Sequence, residues 1–449
     1  MMLARDGHDV TVLERDPAPV PDTWDEAWSA WARPGVPQFH QPHNLFPRYR
    51  AILEQELPEV FSGLVDGGGT WVDFLANLPP SITDRDPRPD DDRFRFITGR
   101  RPWVEHVHAR AAADERRVTV QRGVKVQGFA SAPADNGTAR IVGVETDDGT
   151  VRADLVVDAM GRRSPAAEWL GAIGGRQPIV HSQDSGYTYY TQYFSGSLPP
   201  AFSAPVVAIG TFLVLTLAGD NGTWSVTLWA ASDDKPLKQF RNQEKFARVV
   251  RACPLHAHWL DGTPITDVLP MAGILDKYRR FVVDGEPIAT GYAAVGDAWA
   301  CTNPSAGRGL SIGMMHAQRL RDVVRTTLDR PHDFALAWDA VTEAELAPWY
   351  WNQFATDQAR LEQIAAVRDG RADLVRTVGP IPPEYRAAGE AMAFDADVFR
   401  AVLETVGCLA TPQEAFARPG LWDKVEAAVP DEPVATPGPN REELLALLA

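Results

Sequence analysis

Cysteine is scarce: three residues in 449, Cys253, Cys301 and Cys408, lie far apart and without metal-type spacing. That pattern excludes a disulfide framework, suggests no metal cluster and fits a reducing compartment; three small buried hydrophobes is the plain reading. Positive charge is also short. Against 60 Asp and Glu stand 44 Lys and Arg, a formal net charge of -16. A surface of that sign repels phosphate backbones, and no long basic run offsets it, so nucleic acid is not an expected partner. Long apolar runs are missing too. The most apolar stretch, Val206 to Leu217, falls short of the roughly 20 residues a bilayer span needs, and its β-branched content reads as a buried strand. The opening Met1-Met2-Leu3-Ala4-Arg5 has no signal-peptide character, so a cytoplasmic protein is expected.

What is present is a globular composition, 45% hydrophobic and 23% charged. The length exceeds the roughly 250–300 residues at which one core stops growing, so two or more packed units are expected. Met1 to Arg5 reads as a helix end, Gly7 as its left-handed cap and Asp9 to Leu13 as a short strand, closed by Glu14-Arg15-Asp16. This is the second half of a dinucleotide-binding βαβ unit. In such a unit a Gly-x-Gly-x-x-Gly turn and a helix N-terminus hold a pyrophosphate, and an acid roughly 20 residues later binds ribose hydroxyls. Counting back from Glu14, that glycine turn would fall before Met1. The expectation is a start assigned too far downstream, or a true truncation.

Residues 45–62 and 100–115 pattern as amphipathic helices, and 84–93 as an exposed Asp/Arg/Pro-rich loop. Short strands and turns alternate from Val118 to Val157, with turns at Asn136-Gly137 and Asp148-Gly149. The segments 186–194, 205–217 and 223–231 are β-rich and aromatic, with a hairpin signal at Asn221-Gly222. From 310 onward the pattern is helical.

The most informative segment runs from Gly291 to Met315. A strand (Ala293 to Val295) ends in Gly296-Asp297, a loop carries Pro304, Gly307 and Gly309, and a long helix starts near Leu310. Glycines let a backbone approach a ligand closely, and a helix start offers unpaired N–H groups to an anionic or oxygen-rich cofactor. Asp297 would accept from a hydroxyl. At 154–164 an apolar strand delivers Asp158, followed by Gly161, Arg162 and Ser164; at 101–105 stands Arg-Pro-Trp-Val-Glu.

In this order the motifs resemble the para-hydroxybenzoate hydroxylase class of FAD-dependent oxidoreductases and monooxygenases. The resemblance implies a mixed α/β fold. It would comprise a Rossmann-like FAD-binding domain of the glutathione-reductase type (1–175 and 280–330) and an inserted, mostly antiparallel β-sheet substrate domain (176–279). Residues 66–98 would join the latter, and 331–449 would form a helical C-terminal region. It implies FAD as cofactor, with Glu14 and Arg15 at the adenosine ribose and Arg101 at the phosphates or ribityl chain. The backbone of Val126 would meet the adenine. Asp158, Gly161 and Arg162 would lie near FAD and the nicotinamide, and Gly296, Asp297, Pro304, Gly307, Gly309 and Leu310 would cradle the flavin end. Arg100 competes with Arg101 for its place.

The implied reaction uses NADPH or NADH as transient reductant and O2 as co-substrate. It hydroxylates or epoxidises an apolar or aromatic small molecule through a flavin C4a-hydroperoxide. A C=C reductase of the geranylgeranyl reductase type and a truncated, non-catalytic relative are the alternatives. Trp299 stands where aromatic hydroxylases place histidine, and no halogenase Trp-x-Trp-x-Ile-Pro signature exists. His40 and His43 are candidate proton-transfer groups. Tyr187, Tyr189, Tyr190, Tyr193, Phe194, Trp224 and Trp229 are candidate pocket walls or plain sheet packing. Trp349-Tyr350-Trp351, on one helical turn, reads as core packing, with closure over a substrate pocket as the alternative.

Overall fold

The computed structural model describes residues 1–135, 138–371, 375, 379–432 and 436–449. The chain opens as its first residues predict: a helical turn Met2–Arg5, Gly7 at φ +98° and a strand Val10–Glu14. That strand pairs in parallel with Val118–Arg122, and the connection between them includes the helix Arg101–Asp114. A second parallel pair joins Val156–Asp158 to Tyr292–Ala294. The two pairs are separate sheets, and a cleft of about 1220 Å³ opens among Asp6, Asp154, Gly291 and the end of the helix Gly309–Thr327.

Val126–Asp135, Thr138–Thr146 and Gly149–Arg152 form an antiparallel meander. Val126 begins the first of these strands; the turn expected at Asn136-Gly137 lies outside the described residues. The helical segment expected over 45–62 is two helices, Pro47–Glu56 and Pro58–Asp66. Pro58 has no N–H to continue the first and is well placed to start the second.

The aromatic segment builds a six-stranded sheet in which Tyr187–Ser195 pairs with Thr223–Ala231 over nine residues. Val206 to Leu217 is not one strand. Gly210, at φ +52°, turns it into a hairpin of Val206–Ile209 and Phe212–Ala218. Asn221 (φ 52°) and Gly222 (φ 68°) make the next turn, the left-handed pair a tight hairpin prefers. One face of this sheet carries Tyr190, Phe194, Trp224 and Leu228, buried under the helices Gln243–Arg251 and Arg441–Leu448. Removing such a side chain, Leu228→Ala for instance, costs about 2–5 kcal/mol. The other face carries Tyr187, Tyr189, Thr191, Tyr193 and Trp229 and turns toward the loops that hold Gln41 and Asn303. The seven aromatics thus divide by strand alternation, and Tyr190, Phe194 and Trp224 are core rather than pocket wall.

The long helix Ala347–Arg368 crosses beside this second face, burying Trp349 and Tyr350 while Trp351 stays 42% exposed. Beyond it, helices from Pro383 to Ala428 pack around their own small core. The pair of buried Arg400 with half-buried Asp91 (2.7 Å) ties that bundle to the rest. Among the described residues no helix is long and apolar enough to cross a membrane, and all three cysteines are free and buried.

Candidate active site

The strand Tyr292–Ala294 delivers the chain to Gly296, whose φ of +54° starts a tight turn through Asp297 and Ala298. After Pro304–Ala306 the backbone turns again at Gly307 (φ +67°) and enters the helix Gly309–Thr327. No side chain caps that helix, so its first amides are left to a ligand or to water. A Cβ added at Gly296, Gly309 or Gly313 would meet nothing within 4 Å, so these three border open space. Ser311 is fully buried with its hydroxyl unpartnered. Asp297 is partly buried. Burial raises its pKa, while Arg101, the Cys301 thiol, Arg162 and Arg279 oppose that shift.

The two adjacent arginines have different partners. Arg100 is 4% exposed and committed to Asp220 of the aromatic sheet, donating from its backbone N (2.7 Å), Nε (2.9 Å) and Nη2 (2.7 Å). Its guanidinium also lies over the Trp28 ring. Arg101 is left to face the site, held by Glu105 (Nε to Oε1, 2.6 Å).

His43 completes that placement. Arg101 Nη1 can only donate, so His43 Nε2, 3.1 Å away, accepts; its Nδ1–H then donates to the Gln41 carbonyl at 2.8 Å. Burial, and then Arg101, push its pKa down to about 3. With its Nδ1–H on the Gln41 carbonyl and its Nε2 on Arg101, His43 has both ring nitrogens engaged and orients Arg101. Nitrogen-edited NMR should therefore show a neutral, Nδ1-protonated ring throughout about pH 5–8; a ring titrating near 6.5 would contradict this. His40 sits against Trp28 and Phe39 with Nε2 on the Trp28 carbonyl (3.1 Å).

Glu14 lies at the end of its strand with one oxygen on the Asp16 amide (2.9 Å) and the other on Arg33 (2.8 Å). Arg33 also reaches Asp16 and Glu105 and so links the strand end to the Arg101 helix. Sequence reasoning missed Arg33 because it lies in a loop without a motif. Arg15 is exposed. Asp158 is 2% exposed and fully used within the protein: it accepts from the Met160 amide, the Ser164 hydroxyl and the Tyr292 hydroxyl. It holds the turn that presents Gly161 (φ +78°), next to Asp297. The Arg162 carbonyl accepts from Arg279. Val126 packs at the edge of the core beneath the meander.

The second face of the aromatic sheet meets this site directly. Tyr189 stacks on Trp229 (5.4 Å) and donates to Asn303 Oδ1 at 2.7 Å, one residue before Pro304. Thr191 donates to Gln41 of the His43 loop, and Tyr193 lies against Trp28. Asp276 and Asp357 carry no sequence signal, yet both are buried against the 303–308 loop, through Asn303 and Ser305.

No protein-family model matches the chain. Protein Rv3254 of Mycobacterium tuberculosis is 26% identical over 343 residues, covering 70% of this chain and 68% of that one. Among solved structures, PqsL of Pseudomonas aeruginosa, described as a probable FAD-dependent monooxygenase, superposes with TM-score 0.55 at 16% identity (84% of this chain, 95% of that one). The anhydrotetracycline hydroxylase OxyS of Streptomyces rimosus gives 0.54 at 15% (90% and 72%). The Diels-Alderase PyrE3 of pyrroindomycin biosynthesis gives 0.56 at 17% (90% and 76%). The chain shares their fold.

Proposed function

We propose that this chain is an FAD-dependent monooxygenase that hydroxylates or epoxidises an apolar or aromatic small molecule, using NADPH or NADH and O2. The observation that carries this reading is the 296–310 segment: two left-handed glycines, an uncapped helix start and Asp297, with Arg101 turned toward them. Such a donor and acceptor set fits FAD. Asp297 would accept from a ribityl hydroxyl, the amides of 307–310 would donate to flavin oxygens, Arg101 would face phosphate, and Glu14 would serve the adenosine ribose. When bound, FAD supplies the two-electron redox chemistry and the activation of O2.

The remaining work belongs to the protein. Tyr189 and Trp229 stack beside the 303–308 loop and Tyr193 packs against Trp28, buried aromatics that would back a site for an apolar substrate and exclude water. Among the relatives by fold, OxyS is described as an anhydrotetracycline hydroxylase, and PqsL is described in complex with 2-aminobenzoylacetate, at TM-score 0.54. Both favour an aromatic substrate class here.

The test is turnover of the FAD-loaded protein with NADPH or NADH against a panel of polycyclic and monocyclic aromatics under isotopically labelled O2. One labelled oxygen atom in the product is the expected result. Product formed equally well without O2 would replace this reading by a reductase.

A further inference from the structure

Three parts of the chain converge behind the 303–308 loop. Asp276, on the strand Leu275–Arg280, is 1% exposed; its Oδ1 accepts the Asn303 amide at 2.6 Å, and its Oδ2 has no partner. Asn303 is 2% exposed; its Oδ1 receives Tyr189, and its Nδ2, without a close hydrogen bond, lies toward Asp357 and favours that group's ionised form. Asp357, on the helix Ala347–Arg368 and 3% exposed, accepts from Ser305 Oγ and Gln353 Nε2, both at 2.8 Å. Two carboxylates therefore flank one buried asparagine in a place where water cannot offset two negative charges.

We propose that Asp276 and Asp357 hold one proton between them, with Asp276 the neutral member, and that this buried acid is a positioning group for the 303–308 loop. Its bearing on the flavin rests on the function proposed above; the shared proton does not.

The surroundings favour the neutral form. From the adjoining strands Asp184 repels a second charge, and Tyr187 and Tyr189 remain protonated, raised by burial. Tyr350, on the crossing helix, and Cys301, on the loop, are likewise raised by burial. The Arg308 cation acts on Asp357, and its Nη1 is taken by Asn352 at 3.0 Å. Burial raises Asp276 to about 7 and Asp357 to about 6, each further from ionisation than a free carboxyl at 3.8. The sign follows. A carboxyl with a raised folded pKa holds its proton in the folded state first, so stability falls as pH climbs from about 3.8 to about 7 and then levels.

The experiment is infrared spectroscopy of the whole flavin-free protein between about pH 5 and pH 8, wild type against Asp276→Asn. Wild type should show a protonated-carboxyl component that titrates near neutrality; Asp276→Asn should lose that component and keep only the Asp357 band, titrating at lower pH, and its unfolding temperature should depend less on pH. Identical bands and identical pH dependence would overturn the proposal. If Asp276→Asn does not fold, Asp357→Asn serves: removing that charge should move the band's titration to lower pH, and an unmoved titration overturns the proposal. In FAD-loaded protein, the pH slope of the flavin midpoint potential should break near neutrality in wild type and not in Asp276→Asn. An identical profile in both would remove the role at the loop. Protein that takes up no flavin would refute the proposed function while leaving the infrared result to decide the shared proton.

Discussion

Asp220→Ala is expected to cost about 3–5 kcal/mol of stability, the range for breaking a buried ion pair from one side. Asp220 is fully buried and receives three hydrogen bonds from Arg100, at 2.7, 2.9 and 2.7 Å. Its removal leaves a guanidinium 4% exposed, with only the Trp28 face for company, and orphans the Arg100 backbone N–H as well. Replacing both partners by apolar residues, Arg100→Met with Asp220→Leu, should recover most of the loss, because the cost lies in the stranded charge. Denaturant unfolding of the three proteins checks this; a single-variant loss under about 1 kcal/mol would mean that the pair behaves as a solvated surface bridge. The pair also has a functional consequence. It joins the hairpin of the aromatic sheet to the residue preceding the Arg101–Asp114 helix, so it decides which of two adjacent arginines is left facing Asp297. Asp220→Ala should therefore weaken flavin retention even where the variant remains folded.

Asp297→Ala is expected to weaken flavin binding by about 10- to 100-fold. A hydrogen bond to a charged group contributes about 1.5–3 kcal/mol, and each 1.4 kcal/mol is a factor of ten. The residue is partly buried and makes no side-chain hydrogen bond with a nitrogen or oxygen donor among those described, so the deletion should leave folding largely intact. Fluorescence titration of FAD into wild type and variant, with matched unfolding curves, measures the difference. Equal affinities would remove Asp297 from the site. Arg101→Met should act in the same direction, and His43→Phe more weakly, since His43 acts only by holding Arg101.

The legible parts of this molecule are those whose signals are local. A glycine at φ +98° after a helical turn, a left-handed Asn221-Gly222 pair and the strand-turn-helix of 292–310 are all written into neighbouring residues. Long-range choices were not legible. Arg100 and Arg101 are chemically identical neighbours, and only the arrival of Asp220, 120 positions away, separates them. Alternation misleads at Leu275-Asp276, where Leu275 is 42% exposed and Asp276 1%. The aspartate is turned inward by the Asn303 amide, a tertiary contact that overrides the hydrophobic pattern. The same holds for His43, whose neighbours along the chain announce a loop but not an arginine partner. Val206 to Leu217 was read as one strand because its apolar residues outweigh Gly210, although that glycine alone marks the turn.

Hydrogen–deuterium exchange with and without FAD tests the central claim most directly, because the claim concerns backbone amides. Addition of FAD should slow exchange at 296–310, most of all at the uncapped start of the Gly309–Thr327 helix, and at the Arg101 helix start. Exchange in 296–310 unchanged by FAD at concentrations that saturate the protein would contradict the account.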